Sequence, residues 1–415
     1  MGERAVSAFG MLVMMSLAFA LCPSDRRRLV KLRTVGGGLL ILISFALIVL
    51  RTPANRVFLL ANDGVDRLLA FSRAGAGFVF GRLATDPQSF GMIFAFQVLP
   101  TILFFSALMS LLYHLRVMPL VIESMGRLLS RVLGTSGAES FSTVADVFVG
   151  QTEAPLVIKP YLAKMTVSEL NACMVAGFAT TAGGVLAAYV AMLGPSVPGI
   201  AGHLIACSVM SAPASLVIAK LILPEQADAD RAREASVNIP NASENLLDAL
   251  AQGTSDGIQL AVNVGGMLIV FLAMTAMLNA ALGYLGGLLG HPLSLELILG
   301  WAFSPLAWVM GVPRADVTKV AQLLGQKTVL NEFVAYSHMA EMLAKDPHWL
   351  SERGRVITAY ALCGFANFGS IGIQIGGYSG LAPERRADIS RLAFRAMLGG
   401  LLATCLVACV AGVML

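Results

Sequence analysis

The sequence predicts an all-α integral membrane protein with eight transmembrane helices, two re-entrant helical hairpins in an inverted repeat, and one amphipathic interfacial helix. Three observations predict this class. Of the 415 residues, 57% are hydrophobic and only 13% are charged, which is about half the charged share of a soluble domain. The apolar residues fall into long runs. Two of these runs are broken by glycine and proline, and each contains a glutamate among apolar residues.

Eight apolar runs are long enough to cross a bilayer, which takes about 20 residues. They span residues 6–22, 34–50, 90–112, 170–193, 200–222, 258–285, 356–376 and 393–415. The charged residues inside them are Lys220 and Arg395. Each lies near an end of its span, where a long basic side chain can extend to the membrane interface.

The first run also has the basic start and apolar stretch of a signal peptide. However, no small-x-small motif closes it, and Leu21 before Cys22 is too bulky for a lipoprotein-type cleavage site. More spans follow, so we expect a first transmembrane helix.

Basic residues set the predicted orientation, because short cytoplasmic loops are rich in lysine and arginine. Five such residues follow the first span, between positions 26 and 33. Threading the spans from there places 113–169, 223–257 and 377–392 inside and both termini outside. The predicted outside loop 51–89 also holds five arginines, which opposes this orientation.

Four further segments differ from simple spans. Residues 115–133 alternate charged and apolar residues at helical spacing, which predicts an amphipathic helix on the inner surface. Residues 224–244 read as a polar linker. The stretches 144–162 and 295–342 are apolar but broken by glycine and proline. Broken backbone at membrane depth is tolerated only inside protein or beside water, so we expect each to form a re-entrant hairpin.

The two broken stretches resemble each other. The first contains GQTE at 150–153 and is followed by GFAT at 177–180. The second contains Gly325-Gln326 and Asn331-Glu332, and is followed by GFAN at 364–367. By the predicted orientation one hairpin enters from inside and the other from outside, an inverted repeat that binds substrate and ions at the midplane. Gly-Phe-Ala is a common tripeptide, but two matched elements in the same order outweigh coincidence.

Glu153 and Glu332 are the candidate functional carboxylates, because a charge in the bilayer needs a partner or a function. A salt bridge with Lys159 or Lys327 is the structural alternative. The surrounding polar groups are neutral: Gln151, Thr152, Asn331, Asn367 and Ser370. Amides and hydroxyls read donor and acceptor edges, and a carboxylate can accept two hydrogen bonds from a vicinal diol such as ribose. No arginine cluster is present to hold a phosphate. A neutral, sugar-bearing solute fits this set.

Other classes find little support. The five histidines and six cysteines have no metal-ligand spacing, and there is no nucleophile–base pair, phosphate loop or dinucleotide fingerprint. We therefore expect neither an enzyme nor a resident cofactor. The net charge of +4 without a basic tail gives no indication of nucleic-acid binding. Asp146, Thr180 and Thr181 are candidate ligands for a hard cation, which takes oxygen ligands.

Four motifs resemble the concentrative nucleoside transporter family. They are VGQTEAP at 149–155, MTVSEL at 165–170, NEFVAY at 331–336 and GFANF at 364–368. The resemblance extends from about residue 90 to the C-terminus. It implies a homotrimer in the cytoplasmic (inner) membrane, with a scaffold part and a transport part that moves as an elevator. The corresponding divisions are 1–135 (N-terminal spans and interfacial helix), 136–223 (first transport repeat), 224–290 (linker and long scaffold span) and 291–415 (second transport repeat).

The resemblance also implies a set of substrate-binding residues. Gln151, Thr152 and Glu153 would address the nucleoside base, and Val185 and Leu260 would contact it. Glu332, Asn367 and Ser370 would bind the ribose, and Phe365 would line the site. Gly150 has no side chain and leaves room for purines as well as pyrimidines.

The family's sodium site resembles Asp146, Val149, Thr180 and Thr181. Sodium-coupled members typically have asparagine in place of Asp146 and serine in place of Thr180. Threonine keeps the hydroxyl, whereas the aspartate either strengthens cation binding or becomes a proton carrier. The GQTEAP tip resembles sodium-coupled members, so we expect Na+ as the coupling ion, with H+ as the alternative. A channel and an intramembrane hydrolase are the alternatives from other classes.

Overall fold

The computed structural model describes residues 2–51, 55–86, 89, 93–226 and 243–415. Within these ranges the regular elements are helices, which confirms the all-α prediction. The start of the predicted span 90–112 and most of the predicted linker 224–244 lie outside the described residues.

The helices before the first hairpin pack mainly on later parts of the chain. The described ones are α1 (Glu3–Ala20), α2 (Leu32–Arg51), α3 (Asn55–Phe80), α4 (Arg82–Thr85), α5 (Phe94–Gln97), α6 (Leu99–His114) and α7 (Val117–Leu133), with a 3-10 turn at Arg27–Leu29.

The segment 136–223, predicted as the first transport repeat and called the first repeat below, begins with the helices predicted to form the first hairpin. It comprises α8 (Gly137–Phe148), α9 (Ala154–Val157), α10 (Lys159–Leu162), α11 (Val167–Ala179), α12 (Gly183–Leu193) and α13 (Ile200–Ile222).

A single long helix, α14 (Leu246–Leu289), leads to the segment 291–415, predicted as the second transport repeat and called the second repeat below. That repeat comprises α15 (Leu295–Val309), α16 (Val317–Val329), α17 (Glu332–Lys345), α18 (Glu352–Leu362), α19 (Phe368–Leu381) and α20 (Arg386–Met414), with a 3-10 turn at Pro383–Arg385.

Seven segments of the described chain are helical, long and apolar enough to cross a membrane. They are Glu3–Ala20, Leu32–Arg51, Phe94–His114, Val167–Leu193, Ile200–Ile222, Leu246–Leu288 and Pro383–Met414. They match seven of the eight predicted spans. The eighth, 356–376, is not among these segments. Residues 363–367 interrupt it between α18 and α19, as residues 180–182 interrupt the predicted span 170–193 between α11 and α12.

Helix α3 occupies most of the segment predicted as an outside loop. Leu69, Ser72 and Ala76 are buried on one face, with the helical spacing of three and four residues. The helix packs against α6 and α13. Long uncharged runs in the sequence do not identify this helix, because several charged residues lie between its apolar ones.

The amphipathic helix predicted over 115–133 is α7. Its buried residues, Met118, Ile122, Gly126, Leu129 and Leu133, recur every three or four positions and define one face. Arg127 and Glu123 pair with each other on the outer side.

The second halves of the two repeats are interrupted at matching places, and the interruptions touch. Residues 180–182 separate α11 from α12, and residues 363–367 separate α18 from α19. Gly364 has φ +143°, and a Cβ there would lie 2.9 Å from the Ala179 carbonyl oxygen. The Thr181 hydroxyl lies 3.5 Å from the Cys363 thiol. The chain thus brings two breaks in regular structure together in the interior.

A buried ion network holds one end of the first hairpin. Lys220 Nζ lies 2.7 Å from Glu139 Oε2 and 3.3 Å from Glu225 Oε2, and it donates to Ser168 Oγ at 2.9 Å. Lys220 lies in the last turn of α13, and its side chain is buried against α8; its extension to the membrane interface stays a prediction. A buried ammonium needs such partners, because its desolvation costs several kcal/mol.

Removing the charge of Glu139 should therefore destabilise the protein. We expect Glu139→Gln to lower the free energy of unfolding by about 3 kcal/mol, because it leaves Lys220 buried with one acidic partner fewer. The glutamine oxygen can still accept from the Ser136 amide, as Glu139 does at 2.8 Å.

The measurement is thermal or denaturant unfolding of the purified protein in detergent. Glu341→Gln is the matched control, because its partner Lys345 and Glu341 itself are both more than half exposed and exposed pairs contribute little. Equal stability of the two variants would contradict the assignment.

Candidate functional site

The tip of the second hairpin places Glu332 at the start of a helix. Asn331 accepts a hydrogen bond from the Val334 amide at 2.9 Å, which caps α17. Glu332 is the first residue of that helix and only 4% exposed. The free amides and the dipole at a helix N-terminus favour negative charge, so this position suits a buried carboxylate.

Two donors from other helices hold the Glu332 carboxylate. The Tyr189 hydroxyl donates to Oε1 at 3.0 Å, and Asn367 Nδ2 donates to Oε2 at 3.0 Å. The orientation of the Asn367 amide is fixed in turn, because its Oδ1 accepts from the Ser370 amide at 2.8 Å. Because the chain breaks before α19, Asn367 is the N-cap residue of that helix. From this position its Oδ1 caps α19 while its Nδ2 donates to the Glu332 carboxylate.

The tip of the first hairpin lies against the break at residues 180–182 of its own repeat. Gly150 has φ +86°, a left-handed conformation that favours glycine, and a Cβ there would lie 2.8 Å from Cβ of Ala182. The next residue, Gln151, is buried and donates from Nε2 to Ser370 Oγ at 3.1 Å. Gln374 Nε2 donates to Gln151 Oε1, also at 3.1 Å. The second repeat thus holds the tip of the first.

A continuous hydrogen-bonded chain results. It runs from the Met174 carbonyl through Gln374, Gln151, Ser370, Asn367 and Glu332 to Tyr189. Both hairpin tips and both broken helix pairs contribute to it. Four of the predicted substrate residues, namely Gln151, Ser370, Asn367 and Glu332, are brought together in this way.

The other predicted substrate residues lie outside this chain of hydrogen bonds. The side chains of Thr152 and Glu153 are exposed at the hairpin tip. Val185 is buried on α12, which packs against the helix that begins at Glu332. Leu260 and Phe365 are half-buried.

The salt-bridge alternative for Glu332 does not hold. Lys327 Nζ donates to the Ala361 carbonyl at 2.8 Å and to Thr404 Oγ1 at 3.0 Å. These bonds tie hairpin 2 to α18 and α20. Lys159, the alternative partner of Glu153, has an exposed side chain.

Sequence reasoning missed Tyr189 and Gln374. Gln374 is fully buried in an otherwise apolar helix, and a lone amide of that kind is a usable signal. Tyr189 carried no such signal in the sequence, because a tyrosine in an apolar helix is typical of a core residue, and its ring does pack in the core. Its ring centroid lies 4.4 Å from that of Tyr336 and 5.0 Å from that of Phe333.

Asp146 is an unusual buried group near the chain of hydrogen bonds. It is completely buried on the last turns of α8, and neither carboxylate oxygen has a hydrogen-bond partner among the described residues. A buried charge without partners is costly. Two unoccupied carboxylate oxygens in the interior fit a cation, which hard oxygen ligands would hold.

The neighbouring predicted cation ligands keep oxygen lone pairs available. The Thr180 hydroxyl donates to the Ala176 carbonyl at 2.9 Å, so its own lone pairs stay free. Thr181 contacts the Cys363 thiol, and Val149 ends the helix that carries Asp146. Among the residues that the structure describes, no group of three or more His, Cys, Asp or Glu side chains forms a metal site.

Gly177 is the point where the candidate ion and substrate groups converge. A Cβ built there would lie 2.7 Å from Gln374 Nε2, 3.0 Å from Gln151 Cβ and 3.4 Å from Asp146 Oδ1. The absence of a side chain on α11 therefore lets three elements approach each other.

Paired hairpins and paired broken helices around a buried polar site define a multi-pass membrane transporter. Three family descriptions match the chain: "Na+ dependent nucleoside transporter N-terminus" at residues 9–83, "Nucleoside recognition" at 95–196 and "Na+ dependent nucleoside transporter C-terminus" at 203–412. The chain belongs to the concentrative nucleoside transporter family, as the four sequence motifs indicated.

Similar proteins agree with this assignment. An uncharacterized transporter of Haemophilus influenzae is 44% identical over 98% of this chain and 96% of its own length. Sodium/nucleoside cotransporter 1 of Rattus norvegicus is 41% identical over 99% of this chain, which spans 64% of that longer protein.

Solved structures match over nearly the whole chain. CNTnw in an inward-facing substrate-bound state is 42% identical, with a TM-score of 0.91 over 99% of this chain and 98% of that one. A CNTnw variant in an outward-facing state has a TM-score of 0.92 and 43% identity, over 99% and 97% of the two chains.

Adding a methyl group at the convergence point should be costly. We expect Gly177→Ala to lower the free energy of unfolding by about 1–3 kcal/mol, as overpacking of an interior does, because the Gln374 amide has to move. The measurement is the unfolding transition of the purified protein.

Gly372→Ala on α19 is the control, since a Cβ there meets nothing within 4 Å. If the two alanine variants had the same unfolding transition, the close approach at Gly177 would be refuted.

Proposed function

We propose that this protein imports nucleosides across the cytoplasmic membrane by symport with a cation, which is sodium. The observation that carries the proposal is the chain of hydrogen bonds from Gln151 on one hairpin tip to Glu332 on the other. Such a chain needs both repeats in place, so a solute bound along it is enclosed between them.

The ribose end of the proposed site is formed by Glu332, Asn367 and Ser370. Each Glu332 oxygen accepts one bond from the protein and keeps a lone pair for a further donor. The Ser370 hydroxyl accepts from Gln151 and still has its own proton to donate. Two acceptors and one donor suit the vicinal hydroxyls of a ribose.

The base end is formed by the first hairpin. Gln151 uses one N–H and its carbonyl within the protein, which leaves a second N–H to meet a base. Thr152 and Glu153 lie next to it at the tip, and Val185, Leu260 and Phe365 supply apolar surface for the ring. The absence of a side chain at Gly150 leaves room at the base end, which supports acceptance of both purines and pyrimidines.

The cation end is formed by Asp146, with Thr180, Thr181 and the carbonyl of Val149. Because Asp146 and Gln151 both approach Gly177, a cation at the carboxylate would order the tip that reads the base. Binding of the ion would therefore precede and favour binding of the nucleoside.

Transport follows from this order. The loaded site crosses, the ion leaves inside, and the tip is released. One positive charge crossing 100 mV supplies about 2.3 kcal/mol, or roughly fifty-fold accumulation. The inward-facing and outward-facing structures of the similar CNTnw support alternating access, and we propose that it takes the form of an elevator.

The expected scaffold of 1–135 and 224–290 is proposed with one change: α1 and α2 join 136–223 and 291–415 in the moving part. Helices α6 and α14 pack along each other, which supports their assignment to one unit. Helices α1 and α2 pack instead along α20 and α13, and these contacts favour movement of α1 and α2 with the repeats. The exposed apolar side chains of α14, such as Val262, Ile269 and Val270, support lipid and a homotrimer as its surroundings.

Proton coupling is the second candidate, and Asp146 is the observation that favours it. An aspartate whose oxygens have no hydrogen-bond partner among the described residues can carry a proton in place of a sodium ion. The two versions differ in which ion gradient drives accumulation, so the coupling ion is open to direct measurement.

The ribose role of Glu332 gives one test. We expect Glu332→Ala to abolish nucleoside uptake into proteoliposomes, because it removes both ribose acceptors, while the homotrimer still forms in size-exclusion chromatography. Glu341→Ala, an exposed change on the same helix, should transport normally.

Normal uptake by Glu332→Ala would refute the ribose role. In the wild type, accumulation of intact nucleoside above the outside concentration separates a symporter from a channel and from a hydrolase.

The role of Asp146 gives a second test, with sodium and pH varied independently. We expect Asp146→Asn to keep sodium-driven uptake. The sodium concentration that gives half-maximal uptake should rise about tenfold, because an amide oxygen still ligates a hard cation but lacks the charge. Wild-type uptake should not require a proton gradient. If a proton gradient alone drives the wild type and Asp146→Asn is uncoupled at every sodium concentration, the carrier is proton-coupled.

A further inference from the structure

Gln374 is the member of the hydrogen-bonded chain that no substrate or ion role explains. It lies on α19, its side chain is 0% exposed, and it points toward the first repeat. Its Nε2 donates to Gln151 Oε1 and to the Met174 carbonyl, both at 3.1 Å. It does not contact Glu332 or Asn367, the ribose end of the site, in the described hydrogen bonds.

The orientation of the Gln374 amide is determined by its partners. Both partners of Nε2 are acceptors, so only the nitrogen can face them. A flipped amide would place oxygen against oxygen. The neighbouring Gly177 leaves the room that the amide occupies, since a Cβ there would lie 2.7 Å from Nε2.

This fixed amide in turn fixes Gln151. Because Gln374 donates to Gln151 Oε1, that oxygen is occupied, and Nε2 of Gln151 faces Ser370. The group that Gln151 has left for a solute is therefore a donor, its second N–H. Without Gln374 the Gln151 amide could turn over and offer an acceptor instead.

We infer that Gln374 is a positioning residue that sets base specificity by holding Gln151 as a hydrogen-bond donor. The inference rests on the proposed function, in which Gln151 reads the base. Uracil and cytosine differ in this respect, because the donor and acceptor groups at their 3 and 4 positions are exchanged. A glutamine of fixed orientation discriminates between them, whereas one free to flip fits both.

The first experiment measures equilibrium binding of uridine, cytidine and 2′-deoxyuridine to the purified full-length protein in sodium. Gln374→Met keeps the length and volume of the side chain but removes both donors. We expect the ratio of uridine to cytidine affinities to move toward one by about five- to tenfold, the size of one buried hydrogen bond. The ratio of uridine to 2′-deoxyuridine, which reports on the ribose end, should stay as in the wild type.

Two further variants separate positioning from general loosening. Gln374→Glu keeps the shape, and its protonated form retains one donor for Gln151, so its base ratio should lie between those of Gln374→Met and the wild type. Gln326→Met is the matched control. Gln326 is also a buried glutamine, but its Oε1 bonds to His338 at 2.9 Å, and both ratios should be unchanged.

A double-mutant cycle gives the decisive comparison, because residues that act through one another are not additive. In a Gln151→Ala background, Gln374→Met should change the base ratio no further. An unchanged base ratio in Gln374→Met, an equal effect in the Gln151→Ala background, or a parallel fall of both ratios would each overturn the inference. So would a wild type without base preference.

Failure of the proposed function is distinguishable from these outcomes. In that case the wild-type protein would bind none of the three nucleosides, before any variant is compared. If Gln374→Met does not fold, Gln374→Glu carries the same comparison, and a wild-type base ratio in it at a pH where it is ionised would overturn the inference.

Discussion

A carboxylate enclosed by apolar helices has to be met by donors, and this requirement shapes the centre of the molecule. Glu332 receives the Tyr189 hydroxyl and the Asn367 amide. Asn367 can reach it only because α19 begins there, after a break in what would otherwise be one span. The same asparagine caps the new helix, so the group that satisfies the carboxylate also repairs the broken backbone.

The breaks would be expensive if they faced lipid, where each unpaired backbone group costs several kcal/mol. Here they face each other. The left-handed Gly364 of the second repeat approaches the end of α11 in the first, and Cys363 of the second repeat contacts Thr181 of the first. Each repeat therefore covers the other's irregular backbone, and neither half is complete alone. This mutual covering explains why the polar residues of the site come from both halves of the chain.

Much of this arrangement could be predicted from sequence, because charge and glycine are rare in apolar runs and therefore informative. Glu332, Asn367 and the hairpin tip at Gln151 all carried such signals. Tyr189 did not, because a tyrosine in an apolar helix reads as core, and its contact with Glu332 joins residues 143 positions apart. Helix α3 was missed since its charges hide a packed face, and the pairing of Lys220 with Glu139 depends on how α8 and α13 meet. Contacts of this kind are set by tertiary packing, which local patterns do not encode.

The length of α14 bears on the lipid as well as on the protein. Its 44 residues extend over about 66 Å at the usual rise per residue, and its apolar part alone exceeds the hydrocarbon thickness of about 30 Å. Such a helix lies obliquely across the membrane or deforms the lipid around it. Bilayer thickness then becomes a mechanical variable for this carrier, because a thicker membrane would decrease the tilt of the helix and a thinner one would increase it.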